Sequence, residues 1–172
     1  MPNTPKIRLL VTDVDGTLTD GVYTVSDDGT ISKRFHTHDF HGMMDLQHAG
    51  VSILVLTSSN DDCIKVRYNQ LPPVAKTRMH LATGHVDKLS YLKKYLSENA
   101  GILMSEVAYI GDDINDLDCM NVVGYTGCPN DAHPSVLSDV NYICDRNGGN
   151  GAVREFIEEY LWKFIERENI HV

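Results

Sequence analysis

Apolar positions along the chain follow two rhythms that alternate from end to end. Residues 7–12, IRLLVT, form a short apolar run without helical period, which predicts a strand buried on both faces. "VYTV" and "TISKRF" alternate around "SDDG", predicting a hairpin over about residues 22–35 with Gly29 in its turn. Residues 38–50 carry apolar side chains at helical spacing and stop at Gly50. "VSILVLTSS", residues 51–59, is a second buried strand, followed by a helix from Asp61 to Gln70 and a turn at Pro72–Pro73. The segment after that turn reads as loop until an amphipathic helix begins near Lys88 and ends at Gly101. Strands follow over 105–113, 123–129 and 141–145, with short helices over 115–124 and 133–140 and a final amphipathic helix over 151–168. Strands alternating with helices predict an α/β fold with an open, mainly parallel sheet flanked by helices. Its ligand site should lie at the carboxyl ends of the strands.

Bulk properties narrow the function. The 172 residues suit a single domain spanning 1–172. The formal net charge is −9 with no block of lysine or arginine, so no basic footprint serves nucleic acid or an anionic membrane surface. An anionic small substrate fits only if a metal or local cations offset the acidic background. The opening "MPNTPKIRLLVTDVDG" lacks a secretory-signal pattern, and no run approaches the roughly 18 apolar residues of a membrane span. Cys63, Cys119, Cys128 and Cys144 are widely spaced without a CxxC pair. They read as reduced, mostly packed thiols, which predicts a cytoplasmic protein.

Three predicted strands end in the chemically richest residues: Asp13, Thr57, and Asp112 with Asp113. If these strands are neighbours, three segments converge on one crevice. Asp13 and Asp15 are two apart, so on extended chain their side chains point the same way. Adding Asp112 makes a carboxylate crowd that is costly unless a hard cation neutralises it. Magnesium prefers such oxygen ligands, so Mg²⁺ is the expected cofactor. Gly16 leaves room for an incoming group to meet backbone N–H groups. Thr57, with Ser58 beside it, offers a hydroxyl, and Lys88 offers a point charge suited to phosphate. Together they suit phosphoryl transfer, in which one carboxylate attacks phosphorus and a second moves protons.

"DVDGTLTDG", "LT" at Leu56–Thr57, "DK" at Asp87–Lys88 and "GDDIND" occur in the order of the four motifs of the haloacid dehalogenase superfamily of phosphatases. The hairpin with its "F…D…G" exit, "VDKL", "EVAYIGDDINDL", "DAHP" and "GGNGAVREF" resemble one family within it, the 3-deoxy-D-manno-octulosonate 8-phosphate phosphatases. That family includes phosphatases of nine-carbon nonulosonate 9-phosphates and the phosphatase-like domain of sialic acid cytidylyltransferases. The resemblance implies a Rossmann-like fold with a small hairpin and no large cap. It implies that Asp13 is the nucleophile and Asp15 the acid/base. Asp13, the Asp15 backbone carbonyl and Asp112 would hold Mg²⁺, with Asp116 or Asp113 in support. Thr57 and Lys88 would bind the phosphoryl group of a phosphorylated sugar acid. A homotetramer assembled through the hairpin is also implied.

The chain departs from the family pattern at Thr57–Ser58–Ser59, where members carry Thr-Gly-Arg or Thr-Gly-Glu, and at His38, where octulosonate enzymes often carry arginine. The segment "LPPVAKTRMHLATGH" looks like an insert. His38, Arg67 and Arg154 are the substrate-binding candidates. For Arg67 the plain alternative is surface solvation, and for Arg154 it is a pair with Glu158 one helical turn on. The histidines show no three convergent ligands for zinc. A non-catalytic assembly domain is the competing function, although the intact carboxylates, Thr57 and Lys88 weigh against it. A phospho-accepting receiver domain needs a carboxylate on a mid-chain strand, and the strand ending at Thr57 supplies none.

Overall fold

A computed structural model of the chain describes residues 6–99 and 101–165. In chain order the elements are β1 (Leu9–Thr12), a hairpin of β2 (Thr24–Val25) and β3 (Ile31–Ser32), α1 (Thr37–His48), β4 (Ser52–Leu56), α2 (Asp62–Asn69), β5 (Met79–Ala82) and α3 (Lys88–Glu98). Then come β6 (Val107–Ile110), α4 (Ile114–Met120), β7 (Tyr125–Cys128), α5 (Pro134–Leu137), β8 (Tyr142–Ile143) and α6 (Ala152–Glu155). Six strands form one parallel sheet in the order β5-β4-β1-β6-β7-β8, and β2 pairs with β3 antiparallel outside it. The Rossmann-like expectation and the small hairpin are borne out.

Alternate residues of the central strands feed two cores. Leu10, Ile53, Val55, Ala108 and Ile110 face α1, α2 and the C-terminal helical segment, in a cluster with Met43, Leu46, Ile64, Phe156 and Ile157. Leu9, Val11, Leu54, Leu56 and Tyr109 face α3, α4 and α5, packing with Leu92, Cys119 and Val136. Burial on both faces explains why β1, β4 and β6 read as continuous apolar runs.

Two expectations need correction. The segment read as loop before Lys88 contains β5, an edge strand registered against β4 from Ile53↔Met79 to Leu56↔Ala82. The buried Gln47 amide steadies its approach, donating to the Ala75 carbonyl (2.9 Å) and accepting from the Arg78 N–H (3.2 Å). The final helix is also not uniform. After α6 it widens into a π-helix over Phe156–Tyr160 and tightens to 3₁₀ over Leu161–Phe164. The widened turn carries an aromatic ladder, with Phe156–Tyr160 centroids 5.6 Å apart and Tyr160 stacked on Tyr142 at 5.3 Å. Residues 166–168 of the predicted helix lie outside the described residues.

The chain runs from β1 outward to β4 and β5, then returns to the opposite side of β1 with β6. This reversal places a crevice at the carboxyl end of β1, flanked by the ends of β4 and β6. Among the described residues no helix is long and apolar enough to cross a membrane.

Candidate active site

Asp13 follows β1 directly, and its N–H continues the ladder to the Ile110 carbonyl of β6 at 3.0 Å. The chain then turns rather than extending: the N–H groups of Thr17 and Thr19 both donate to the Val14 carbonyl. Asp15 therefore lies in a turn and not on the extended chain that the strand reading assumed. Gly16 sits in the turn at φ +88°, and a Cβ there would lie 2.0 Å from Asp112 Oδ2. Only glycine meets both the left-handed backbone and that contact. Gly111 plays a similar spatial part after β6, since a Cβ would lie 2.4 Å from the Asp116 carboxyl carbon. Asp112 is steadied by the Thr17 hydroxyl, which donates to its Oδ1 at 3.0 Å.

Asp13, Asp112 and Asp116 each bring a carboxylate oxygen within 4.8 Å of the others. Lys88 opens α3 with its side chain fully buried, 2.9 Å from Asp13 Oδ1 and 2.7 Å from Asp116 Oδ1. Tyr109, on β6, donates its hydroxyl to the same Asp116 oxygen at 2.7 Å. The other Asp116 oxygen accepts from the N–H groups of Asp112 (3.1 Å) and Asp113 (3.3 Å). Asp113 itself is exposed, and its carboxylate caps α4 through the Ile114 N–H. Between the two carboxylates named as metal support, the fold brings Asp116 to the cluster and turns Asp113 away as a helix cap.

Burial and then the Asp116 charge push the Asp13 carboxyl up to about 8, against the pull of Lys88. Burial and Asp116 likewise raise Asp112 to about 7, although the Thr17 hydroxyl pulls it down. Desolvation disfavours the Lys88 charge, but Asp13 and Asp116 outweigh it and hold the ammonium above the ordinary lysine value. Burial is the first cause at both aspartates and the Asp116 charge the second. Three carboxylates face one ammonium, so with all three ionised two negative charges would stand unbalanced. The donor set is all oxygen, so it fits a hard divalent cation that would remove the surplus.

Thr57 follows β4 and is buried, with its hydroxyl accepting from the Ser59 N–H at 3.1 Å. Ser58 is half-buried in the same loop. Asp15 stands apart from the three-carboxylate cluster: its Oδ1 accepts from the Lys33 ammonium at 2.7 Å and the Thr19 hydroxyl at 3.4 Å. Lys33 also reaches Asp61 Oδ2 at 2.5 Å. Sequence reasoning missed Lys33, although it lies on the hairpin strand's alternation two residues before the core-packed Phe35.

None of the three substrate-binding candidates pairs with Asp13, Asp112 or Asp116. Arg67 lies with its guanidinium 4.4 Å over the Phe40 ring, in a cleft of ≈ 480 Å³ that Lys33 and Phe35 also line. His38 is exposed and, with His41, Arg146 and Arg154, lines a separate cleft of ≈ 450 Å³. Arg154 is tied to Asp45 at 2.7 Å and to Glu158, so the plain reading of its pairing holds. The "GGNG" segment packs against the turn after β1: Gly149 N–H donates to the Thr17 carbonyl, and a Cβ on Gly148 would lie 1.9 Å from the Gly16 carbonyl oxygen.

Fold and site together define the class: the profile of the haloacid dehalogenase-like hydrolases matches residues 73–157, and the chain is a phosphoric monoester hydrolase of that kind. The chain is 33% identical over 161 residues to 3-deoxy-D-manno-octulosonate 8-phosphate phosphatase KdsC of Salmonella typhi, covering 94% of this chain and 82% of that one. The chain belongs to that phosphatase family. The crystal structure of the Moraxella catarrhalis enzyme of the same name, in complex with magnesium ion, phosphate ion and KDO, superposes with a TM-score of 0.80 at 32% identity. That match covers 89% of this chain and 84% of that one. N-acylneuraminate cytidylyltransferase of Oncorhynchus mykiss is 31% identical over 155 residues, which span 90% of this chain but 35% of that protein.

Proposed function

We propose that this hydrolase removes the phosphoryl group of 3-deoxy-D-manno-octulosonate 8-phosphate, or of a nonulosonate 9-phosphate of the same chemistry, through an aspartyl-phosphate on Asp13. The observation that carries the reading is the buried Asp13–Lys88–Asp116 arrangement beside Asp112. An Asp13 carboxylate oxygen attacks phosphorus, the bond from phosphorus to the sugar oxygen breaks, and Asp15 gives that oxygen its proton. Water then attacks the phosphorus of the acyl-phosphate and loses its proton to Asp15, releasing inorganic phosphate and restoring Asp13. Lys88 and the Thr57–Ser58 loop with Gly16 are assigned to the phosphoryl oxygens. Asp13, Asp112 and Asp116, with the Asp15 backbone carbonyl, would hold Mg²⁺, which when bound supplies positive charge to those oxygens.

The octulosonate is the preferred acid because the family relatives and the Moraxella complex carry it in their names. The likeness to a cytidylyltransferase favours the assembly role, yet the charge-crowded site has no use in a scaffold. We assign the protein to the cytoplasm on its four free cysteines, three of them buried. We assign a homotetramer on the hairpin's exposed Val22, Tyr23, Val25 and Ile31. The test is phosphate release with MgCl₂ from both sugar acid phosphates and from hexose phosphates, with Asp13→Asn as control. Preference for one sugar acid, abolished in Asp13→Asn and by chelation, is the expected result. A folded, magnesium-binding protein silent on both acids would refute the proposal.

A further inference from the structure

The hairpin's Lys33 has no part in the reaction as assigned so far, although its side chain is only 5% exposed. Its ammonium bridges Asp15 Oδ1 at 2.7 Å and Asp61 Oδ2 at 2.5 Å. Asp61 is fixed in turn, because its Oδ1 caps α2 through the Cys63 N–H at 2.9 Å and its Oδ2 accepts from the Ser59 hydroxyl at 2.5 Å. Ser59 belongs to the Ser58–Ser59 pair that replaces the family's glycine and charged residue. A continuous line Ser59–Asp61–Lys33–Asp15 therefore joins the loop after β4, the hairpin and the catalytic turn. At Asp15 the line engages one oxygen only, since Lys33 and the Thr19 hydroxyl both meet Oδ1. Among the described residues Oδ2 accepts no hydrogen bond.

We propose that Lys33 is the positioning residue for Asp15: anchored by Asp61, it holds Oδ1 so that Oδ2 alone is presented to the leaving oxygen of the substrate. This rests on the proton-transfer role given to Asp15 above. A carboxylate free to rotate would spread its two oxygens over many orientations, and proton transfer requires hydrogen-bond reach to one atom. A well-fixed orientation matters only when the leaving oxygen needs a proton. A sugar alkoxide needs one; 4-nitrophenolate does not.

The experiment compares kcat/KM of the full chain on the sugar acid phosphate that it turns over and on 4-nitrophenyl phosphate, in saturating MgCl₂. This ratio reports steps up to release of the first product, so slow hydrolysis of the acyl-phosphate does not mask the effect. Lys33→Met is expected to lose about 10- to 100-fold on the sugar phosphate, part of the roughly 10²–10⁴ that a placed proton donor supplies. On the aryl phosphate it should lose less than about threefold. Asp61→Asn keeps the helix cap, since asparagine caps as well as aspartate, and should show the same selective loss in smaller degree. Lys33→Arg, which retains the charge and the reach, should recover most of it. Equal loss on both substrates, or none on either, would overturn the proposal. Asp15→Asn separates the two ideas: if it fails to discriminate between the substrates, the role of Asp15 is at fault. If it discriminates and Lys33→Met does not, Lys33 is not the positioning residue.

Discussion

Replacing Lys88 by methionine keeps the aliphatic stem and deletes the one cation buried among the carboxylates. Its ammonium lies 2.9 Å from Asp13 and 2.7 Å from Asp116, with side chains 1%, 6% and 0% exposed respectively. Breaking a buried pair by removing one partner costs about 3–5 kcal/mol, because the charge left behind stays desolvated. For a chain of this size, about 2–4 °C per kcal/mol converts that loss to a fall in Tm of roughly 6–20 °C. With the three carboxylates ionised, loss of the lysine raises the surplus from two negative charges to three, so a divalent cation gains more by binding the folded variant. Urea titrations of both proteins, with chelator and then with MgCl₂, measure this directly. Lys88→Met should be less stable than the parent in chelator, and MgCl₂ should narrow the gap. A loss below about 1 kcal/mol, or a magnesium effect no larger than in the parent, would refute the electrostatic reasoning.

Two further substitutions probe other parts of the fold. Gly16→Ala forces a Cβ to within 2.0 Å of Asp112 Oδ2 at a φ of +88°. It should lower stability by about 1–2 kcal/mol for the backbone alone and abolish magnesium-dependent turnover; calorimetric Mg²⁺ titration of parent-like affinity would contradict this. Asp39, buried beneath α6 with its Oδ1 accepting from the Arg154 N–H at 2.8 Å, has its carboxyl raised by burial from 3.8 to about 6. The folded state then binds the additional proton between about pH 4 and pH 6, so this group's contribution falls as pH rises through that window and is lowest above it. Asp39→Asn removes the effect, worth at most about 3 kcal/mol. Urea midpoints taken from pH 4 to pH 7 should show a flatter profile than the parent, and parallel profiles would count against the assignment.

What the sequence disclosed follows from what burial does to pattern. β1, β4 and β6 are covered on both faces, so their residues had to be apolar without interruption, and their ends stood out as Asp13, Thr57 and Asp112. β5 needs only one neighbour, and its His80 is exposed while Leu81 is half-buried, so "MHLA" carries neither run nor alternation. Its support comes from Gln47, distant in sequence. The choice between Asp113 and Asp116 was open in "GDDIND" because it depends on where α4 starts. With Asp113 at the cap, Asp116 falls in the first turn and folds back on the N–H groups, the reciprocal arrangement of a capping box. Asp15 was read on extended chain because the strand's geometry was carried past Asp13 into what is a turn. Lys33 gave no signal for another reason: a lone lysine just past the two-residue β3 acquires meaning only when its ammonium meets Asp15 and Asp61, distant in sequence.

A carboxylate crowd would normally relieve itself by rotating apart, and this site is built to prevent that. Asp116 is fixed on one oxygen by Tyr109 and Lys88 and on the other by two backbone N–H groups. Asp112 is held by Thr17 and seated against the bare Cα of Gly16, where any side chain would strike it. Gly148 in turn closes on the Gly16 carbonyl, so the C-terminal segment braces the same turn from outside. Repulsion therefore persists in the folded state instead of dissipating, and it is relieved when positive charge enters. Such fixed groups need not reorganise as charge moves between phosphorus and oxygen, which is where preorganised electrostatics lowers a barrier most. The glycines and the hydrogen-bonded Asp116 thus belong to the proposed catalysis as much as Asp13, the nucleophile assigned to it.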